Sequence, residues 1–191
     1  MREPMIVFLC GPHCSGKSSI LKSLYDESLL SDWGFEIGKE LYYQNHFDTE
    51  CQNQDFEFEV SRRELNRDHK YVKSKGIIGI ETWHPGNLAY AAVRNPSIVS
   101  KLIRCMIKSP LISNARGIRL QISPEVILER TKTFQQNRDW AVDFYTKIDN
   151  VLDTCLKQLG LQDRCVFINA NQSLEAVIEE VKKAIIDFKH L

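Results

Sequence analysis

Apolar residues along this chain follow two alternating rhythms. Met5-Ile6-Val7-Phe8-Leu9-Cys10, Ile77-Ile78-Gly79-Ile80 and Cys165-Val166-Phe167-Ile168 are short unbroken runs, the pattern of strands buried on both faces of a parallel sheet. Ile118-Arg119-Leu120-Gln121-Ile122 predicts a further strand, and Phe35-Glu36-Ile37 a short one that comes second in chain order. Between these the spacing is helical. Ile20, Leu21 and Leu24 open a helix that fades near Leu30; a heavily charged helix runs from Phe56 to Lys75 and ends at Gly76. Ala89 to Val93 and Ile98 to Ile107 read as helix interrupted at Asn95-Pro96. Ser123-Pro124-Glu125 starts another with an N-cap, a proline at the first helical position and an acid in the first turn. A long amphipathic stretch from Trp140 to Leu159 is stopped by Gly160, and the last helix carries Leu174, Val177, Val181, Ile185 and Phe188 on one face. Leu41 to Asp55, polar and dotted with aromatics, follows no period. The alternation predicts an α/β fold of three layers, a five-stranded parallel sheet wrapped by helices on both sides.

Sheets of this kind bind ligands beyond the carboxyl ends of their strands. After the first strand comes Gly11-Pro12-His13-Cys14-Ser15-Gly16-Lys17-Ser18, then Ser19, which fits G-x-x-x-x-G-K-[ST] between a buried strand and a helix. This is the phosphate-binding P-loop. Its two glycines let the backbone N–H groups and the positive end of the helix face a phosphate chain. Lys17 reaches the outer phosphates, and the Ser18 hydroxyl is a ligand for Mg²⁺. The nucleotide expected there is ATP.

Glu81 closes the third strand, ahead of the loop Thr82-Trp83-His84-Pro85-Gly86-Asn87. A carboxylate at that point faces the P-loop and is placed to hold the Mg²⁺ shell or to take a proton from an attacking hydroxyl. Glu36, after the second strand, is general base, substrate ligand or an ordinary solvated acid; Lys39 and Glu40 read as surface. Arg62, Arg63 and Arg67, interleaved with Glu57, Glu59, Glu64 and Asp68, have the spacing of a solvated, ion-paired helix face. Arg130, Lys132 and Arg138 bracket a helix break, where a basic lid over residues 130–139 would close on the phosphates. His84 is a packed loop histidine or a catalytic one. Cys14, near a helix N-terminus, is a candidate for a lowered thiol pKa. Thr146-Lys147-Ile148-Asp149 imitates a guanine-reading motif, but falls inside an amphipathic helix and is rejected.

Composition narrows the classes. The 191 residues fit one domain, 1–191, and carry 25 Lys and Arg against 25 Asp and Glu. With no net field to attract polyanions, nucleic acid is not an expected partner. No apolar run nears the ~20 residues of a membrane span, and Met1-Arg2-Glu3-Pro4 leads straight into the first strand, so a cytoplasmic location without membrane contact is expected. The six cysteines have neither C-x-x-C nor zinc spacing and read as reduced thiols.

The chain resembles the P-loop nucleoside and nucleotide kinases, with thymidylate kinase nearest. Glu81-Thr82-Trp83-His84-Pro85-Gly86-Asn87-Leu88-Ala89-Tyr90 aligns with that family's D-R-Y-x-x-S-x-x-A-Y, matching at the acid, the aromatic and the A-Y pair. Pro124-Glu125-Val126-Ile127-Leu128-Glu129-Arg130 matches its P-E-V-x-L-E-R helix start ahead of the lid. Two departures stand out: the family's arginine after the acid, a contact of the substrate phosphate, is Thr82 here, and R-E-P-G-G-T after the second strand is absent. The resemblance implies ATP-dependent phosphoryl transfer to a nucleotide, nucleoside or related small molecule, with Lys17, Glu81, Glu36, Arg130 and Arg138 as the catalytic set. A P-loop ATPase or nucleotide-binding switch is the alternative. The partners expected are ATP and a small-molecule acceptor, with a homodimer as the assembly allowed for.

Overall fold

In the computed structural model, which describes residues 4–45, 54–131 and 138–190, strand β1 (Met5–Cys10) lies at the centre of a five-stranded, all-parallel sheet. Its neighbours are β3 (Ile77–Glu81) and β4 (Ala115–Gln121); β2 (Asp32–Gly34) flanks β3 and β5 (Cys165–Asn169) flanks β4, in the order β2-β3-β1-β4-β5. Leu9 stands level with Glu81, the last residue of β3, and with Ile118, so the ends of β1 and β3 come together while β4 runs on to Gln121 beyond them.

The uniform hydrophobicity of β1 has a direct structural reason. Side chains alternate across a strand, and here both sides meet a core. Ile6, Phe8 and Cys10 join the layer of α4 (Trp83–Arg94), α5 (Val99–Met106) and α7 (Arg138–Gln158); Val7 and Leu9 join that of α1 (Lys17–Asp26) and α8 (Leu174–Phe188). Helices α2 (Ile37–Asn45), α3 (Gln54–Tyr71) and α6 (Pro124–Arg130) complete the set of eight among the described residues. Ser123 and Ser173 cap α6 and α8, their hydroxyls accepting from Val126 N and Ala176 N. None of these helices is long and apolar enough to cross a membrane.

Several expectations shift. The second strand is Asp32–Gly34 rather than 35–37: Phe35 and Glu36 follow it, and Ile37 already begins α2. That helix buries Ile37 and Leu41 against Phe56 and Val60 of α3, a pair of i,i+4 contacts too short to show as a period. The expected loop at 82–87 is largely the first turn of α4, which starts at Trp83. Asn95-Pro96 does divide two helices, through a 3₁₀ turn at Pro96–Ile98. Of the lid, residues 132–137 lie outside the described residues.

The charged helix α3 is solvated on one side only. Glu59 pairs with Arg62 and Arg63 at the surface, as expected. Glu57, Glu64 and Asp68 instead turn inward and are buried. Glu57 accepts from Arg94 Nε at 2.7 Å; Glu64 accepts from Asn87 Nδ2 at 3.0 Å and pairs with Arg67. Asp68 accepts from Trp83 Nε1 at 3.0 Å and Ser109 Oγ at 2.6 Å, and its Oδ2 lies 2.7 Å from His84 Nε2. Asp68 and Glu64 anchor the start of α4 and Glu57 its last residue. On the same side of the sheet Arg119 of β4, 1% exposed, pairs with Asp149 at 2.8 Å and Asp153 at 2.9 Å, fastening α7. Asp149 is thereby spoken for within the helix.

Candidate active site

The loop from Gly11 to Gly16 leaves β1 and turns into α1. Gly16 caps that helix at φ 92°, ψ 5°, a left-handed conformation natural to glycine. At Gly11 a Cβ would sit 2.8 Å from Leu120 O and 2.9 Å from Ser15 Oγ, so a side chain would collide with the backbone of β4 and only glycine lets the loop pack this closely against it. Ser15 is buried, and its hydroxyl has no hydrogen-bond partner among the described residues. Lys17 is 4% exposed; its ammonium donates to Gly11 O at 2.9 Å and Pro12 O at 3.0 Å, so its charge is held inside the loop.

Across from the loop stand two carboxylates. Glu81 accepts a hydrogen bond from Ser18 Oγ at 2.6 Å, joining the end of β3 to the first turn of α1. Burial raises its pKa; Lys17 opposes the shift, the charge of Glu36 adds to it, and the Ser18 hydrogen bond opposes it. Glu36, half-buried, accepts from Thr82 Oγ1 at 3.0 Å. Thr82 adopts φ 66°, ψ −56°, the region of the strained classic γ-turn. For a β-branched residue this costs about 1–3 kcal/mol. The conformation is held by Thr82 N donating to Leu9 O at 2.8 Å and Gly86 N donating to Thr82 O at 3.1 Å. A Cβ on Gly86 would stand 2.5 Å from Thr82 Cγ2, so these two positions fit only as a pair.

Glu36, Glu81, Lys17, Ser18, Ser19, Gly16, His13, Cys14, Lys39 and Arg130 line one cleft of about 300 Å³. Most of the site residues expected from sequence therefore line it; Gly11, Pro12, Ser15 and Arg138 do not. Lys39, expected at the surface, is exposed but lines the cleft, because α2 begins right after Glu36. Thr82, which sequence reasoning noted only as a missing arginine, proves to be the partner of Glu36. Arg130 does reach the loop, but as a tie: it donates to Cys14 O at 3.1 Å, Ala170 O at 2.9 Å and Gln172 O at 3.1 Å. Arg138 opens α7.

His13 stacks on Tyr145 with ring centroids 5.2 Å apart, and burial, Lys17 and Lys39 bring its pKa down to about 4. It is a neutral ring at physiological pH. Cys14 corrects an expectation: burial pushes its thiol up despite the nearby Lys17 and Arg130 charges, so it is no activated thiolate. His84 is fully buried on Asp68, away from the cleft lining.

No family model and no curated protein matches this sequence. Solved structures do. NadR in complex with NR superimposes with a TM-score of 0.76 at 12% identity over 98% of this chain, and NadR with NAD and AMP-PNP at 0.74 and 13%. The chain spans about half the length of those proteins, 51% and 50%. A deoxyadenosine kinase from M. mycoides, solved with dCMP and dCDP, gives 0.65 at 13% identity, covering 96% of this chain and 99% of that one. Shikimate kinase from Aquifex aeolicus gives 0.54 at 15%, covering 98% and 99%. Such identities speak for architecture alone: the chain has the α/β fold of the P-loop kinases, built on a five-stranded parallel sheet.

Proposed function

We propose that this chain is a small-molecule kinase, transferring the γ-phosphoryl group of ATP to a hydroxyl of a nucleoside, nucleotide or related compound. The observation that carries the reading is the 2.6 Å contact between Ser18 and Glu81 beside a P-loop with Lys17 inside it. That pair offers hard oxygen donors to one point, as Mg²⁺ requires. Among the described residues no three His, Cys, Asp or Glu side chains converge on a metal, so an ion here would complete its shell from phosphate and water. The buried, unpartnered Ser15 hydroxyl and the left-handed Gly16 at the start of α1 fit a phosphate chain lying against the loop backbone. Bound there, Mg²⁺ and ATP supply the phosphoryl group and the divalent charge that neutralises its oxygens.

The chain's own groups do the rest. Lys17 exchanges its carbonyl contacts for the outer phosphates, and the loop N–H groups fix their orientation. The acceptor oxygen bonds to the γ-phosphorus as the bridge to the β-phosphate breaks, and the acceptor's proton passes to Glu36 or Glu81. Glu81, bound to Ser18, suits the metal shell; Glu36, oriented by Thr82, suits the proton. Arg130 holds the loop to the segment after β5. The matches to thymidylate kinase at Glu81, Trp83, Ala89 and Tyr90 support the same reaction class, as do neighbours that are themselves kinases.

A coupled assay over a panel of acceptors tests this. The expected result is slow ATP turnover with water alone and fast turnover with at least one acceptor. Acceptor-independent hydrolysis at the full rate would mean an ATPase or switch module instead.

A further inference from the structure

We infer that the acceptor is an uncharged, hydroxyl-bearing molecule rather than a phosphate ester. This names the substrate class of the proposed kinase site and rests on that reading for the transfer step, but not for the charge preference itself.

The charges of the cleft are unevenly divided. Its cations are Lys17, Lys39 and Arg130, and two of them are engaged at the P-loop end. Lys17 lies within the loop, bonded to Gly11 O and Pro12 O. Arg130 is bonded to the carbonyls of Cys14, Ala170 and Gln172. The facing wall presents Glu36 and Glu81, and the one side chain between them, Thr82, is 1% exposed with its hydroxyl donated to Glu36. Among the residues lining the cleft only Lys39, on the exposed rim of α2, adds a positive charge on that side; Arg94, whose charge reaches Tyr90 and Tyr145, lies outside the lining and is paired with Glu57 at 2.7 Å.

A phosphate ester carries about −1.5 to −2 charges at neutral pH. Such a group calls for guanidinium or ammonium donors in a fork, and here it would meet two carboxylates, one of them buried, whose like charge repels it. A neutral polyol meets the opposite situation. Its hydroxyls donate to carboxylate oxygens in charge-assisted hydrogen bonds, and the neutral His13 ring stacked on Tyr145 adds an uncharged aromatic wall. A ribose-bearing nucleoside or a free sugar fits that chemistry.

The test compares matched acceptor pairs, nucleosides against their 5′-monophosphates and sugars against sugar phosphates, with Mg²⁺ and ATP. Unphosphorylated members should show kcat/KM higher by roughly 10²-fold or more. A phosphate ester used as well as, or better than, its parent overturns the inference. Calorimetric titration with inorganic tripolyphosphate supplies an arm independent of turnover. One equivalent should bind per chain and be displaced completely by AMP-PNP with Mg²⁺; a second equivalent retained beside AMP-PNP overturns the assignment. An acceptor panel silent for both classes, with a single anion site, leaves the charge assignment standing and removes the kinase reading.

Discussion

Replacing Asp68 by Asn tests whether this buried acid of α3 sets the start of α4, and with it Glu81 and Thr82. Asp68 is fully buried and accepts on both oxygens: Oδ1 from Trp83 Nε1, Oδ2 from Ser109 Oγ, with His84 Nε2 at 2.7 Å. Asn is nearly the same shape but has one acceptor and one NH₂. Its better orientation keeps the oxygen on the Ser109 and His84 side and turns the NH₂ against the indole N–H. The variant then loses a hydrogen bond to a charged acceptor, about 1.5–3 kcal/mol, and strands a buried donor at about 1–3 kcal/mol. These costs overlap, so a loss of about 2–4 kcal/mol is expected, with Tm lower by roughly 5–15 °C for a chain of this size. Urea unfolding measures it, and a cycle with Trp83→Phe isolates the mechanism. Once the indole N–H is gone, most of the Asn penalty should vanish, giving a coupling of about 1 kcal/mol or more. A loss under about 0.5 kcal/mol, or strict additivity in the double variant, would refute the reasoning. Turnover should fall with stability here, because Trp83 continues directly from Thr82.

Lys17→Met should abolish measurable nucleotide binding by calorimetry while the circular dichroism spectrum stays unchanged; retained affinity would remove the P-loop assignment. Glu81→Gln should cost roughly 10²-fold in turnover, and raised Mg²⁺ should restore part of it if the carboxylate serves the metal shell. Because burial raises the Glu81 pKa, the ionised form is lost already above the ordinary glutamate range as pH falls. The acid limb of the rate profile should therefore lie higher than for a free glutamate and disappear in the Gln variant. Arg130→Ala should raise the KM for ATP about tenfold as well as lower kcat, since its three carbonyl contacts hold the P-loop itself; a loss in kcat alone would mark it as a closing lid residue.

Much of the fold could be read before any coordinate was known, where one residue pattern had one physical solution. The P-loop lay between an apolar run and a helical one, and the sheet is wrapped as the alternation required. What stayed hidden depended on tertiary partners. Strand β2 has three residues and pairs only with β3, so it makes no run to recognise, and the apolar pattern points about three residues too far along. Helix α2 buries just Ile37 and Leu41; the matching i,i+4 pair Phe56 and Val60 was the available clue, legible only when the two were set side by side. Glu57, Glu64 and Asp68 looked like members of a solvated face because charge spacing on a helix is the same whether its counter-ions are neighbours or come from another element. The bond between Thr82 and Glu36 has no sequence signature at all. It joins residues 46 positions apart, one of them, Thr82, at a positive φ that no sequence pattern announces.

The central position of β1 reaches beyond the finished molecule to its synthesis. Its partners, Ile77–Glu81 and Ala115–Gln121, come much later in the chain. At about 5–20 residues per second a ribosome needs roughly 5–20 s after β1 to deliver β4. For that interval six apolar residues, with both faces meant for burial, emerge with no strand to pair on the far side, in the state most prone to wrong association. Arg2, Glu3 and Pro4 directly ahead of the run are the charges and the strand-breaker that guard such segments. The strand that ends up best protected in the sheet is the one left longest unpartnered while the chain is being made.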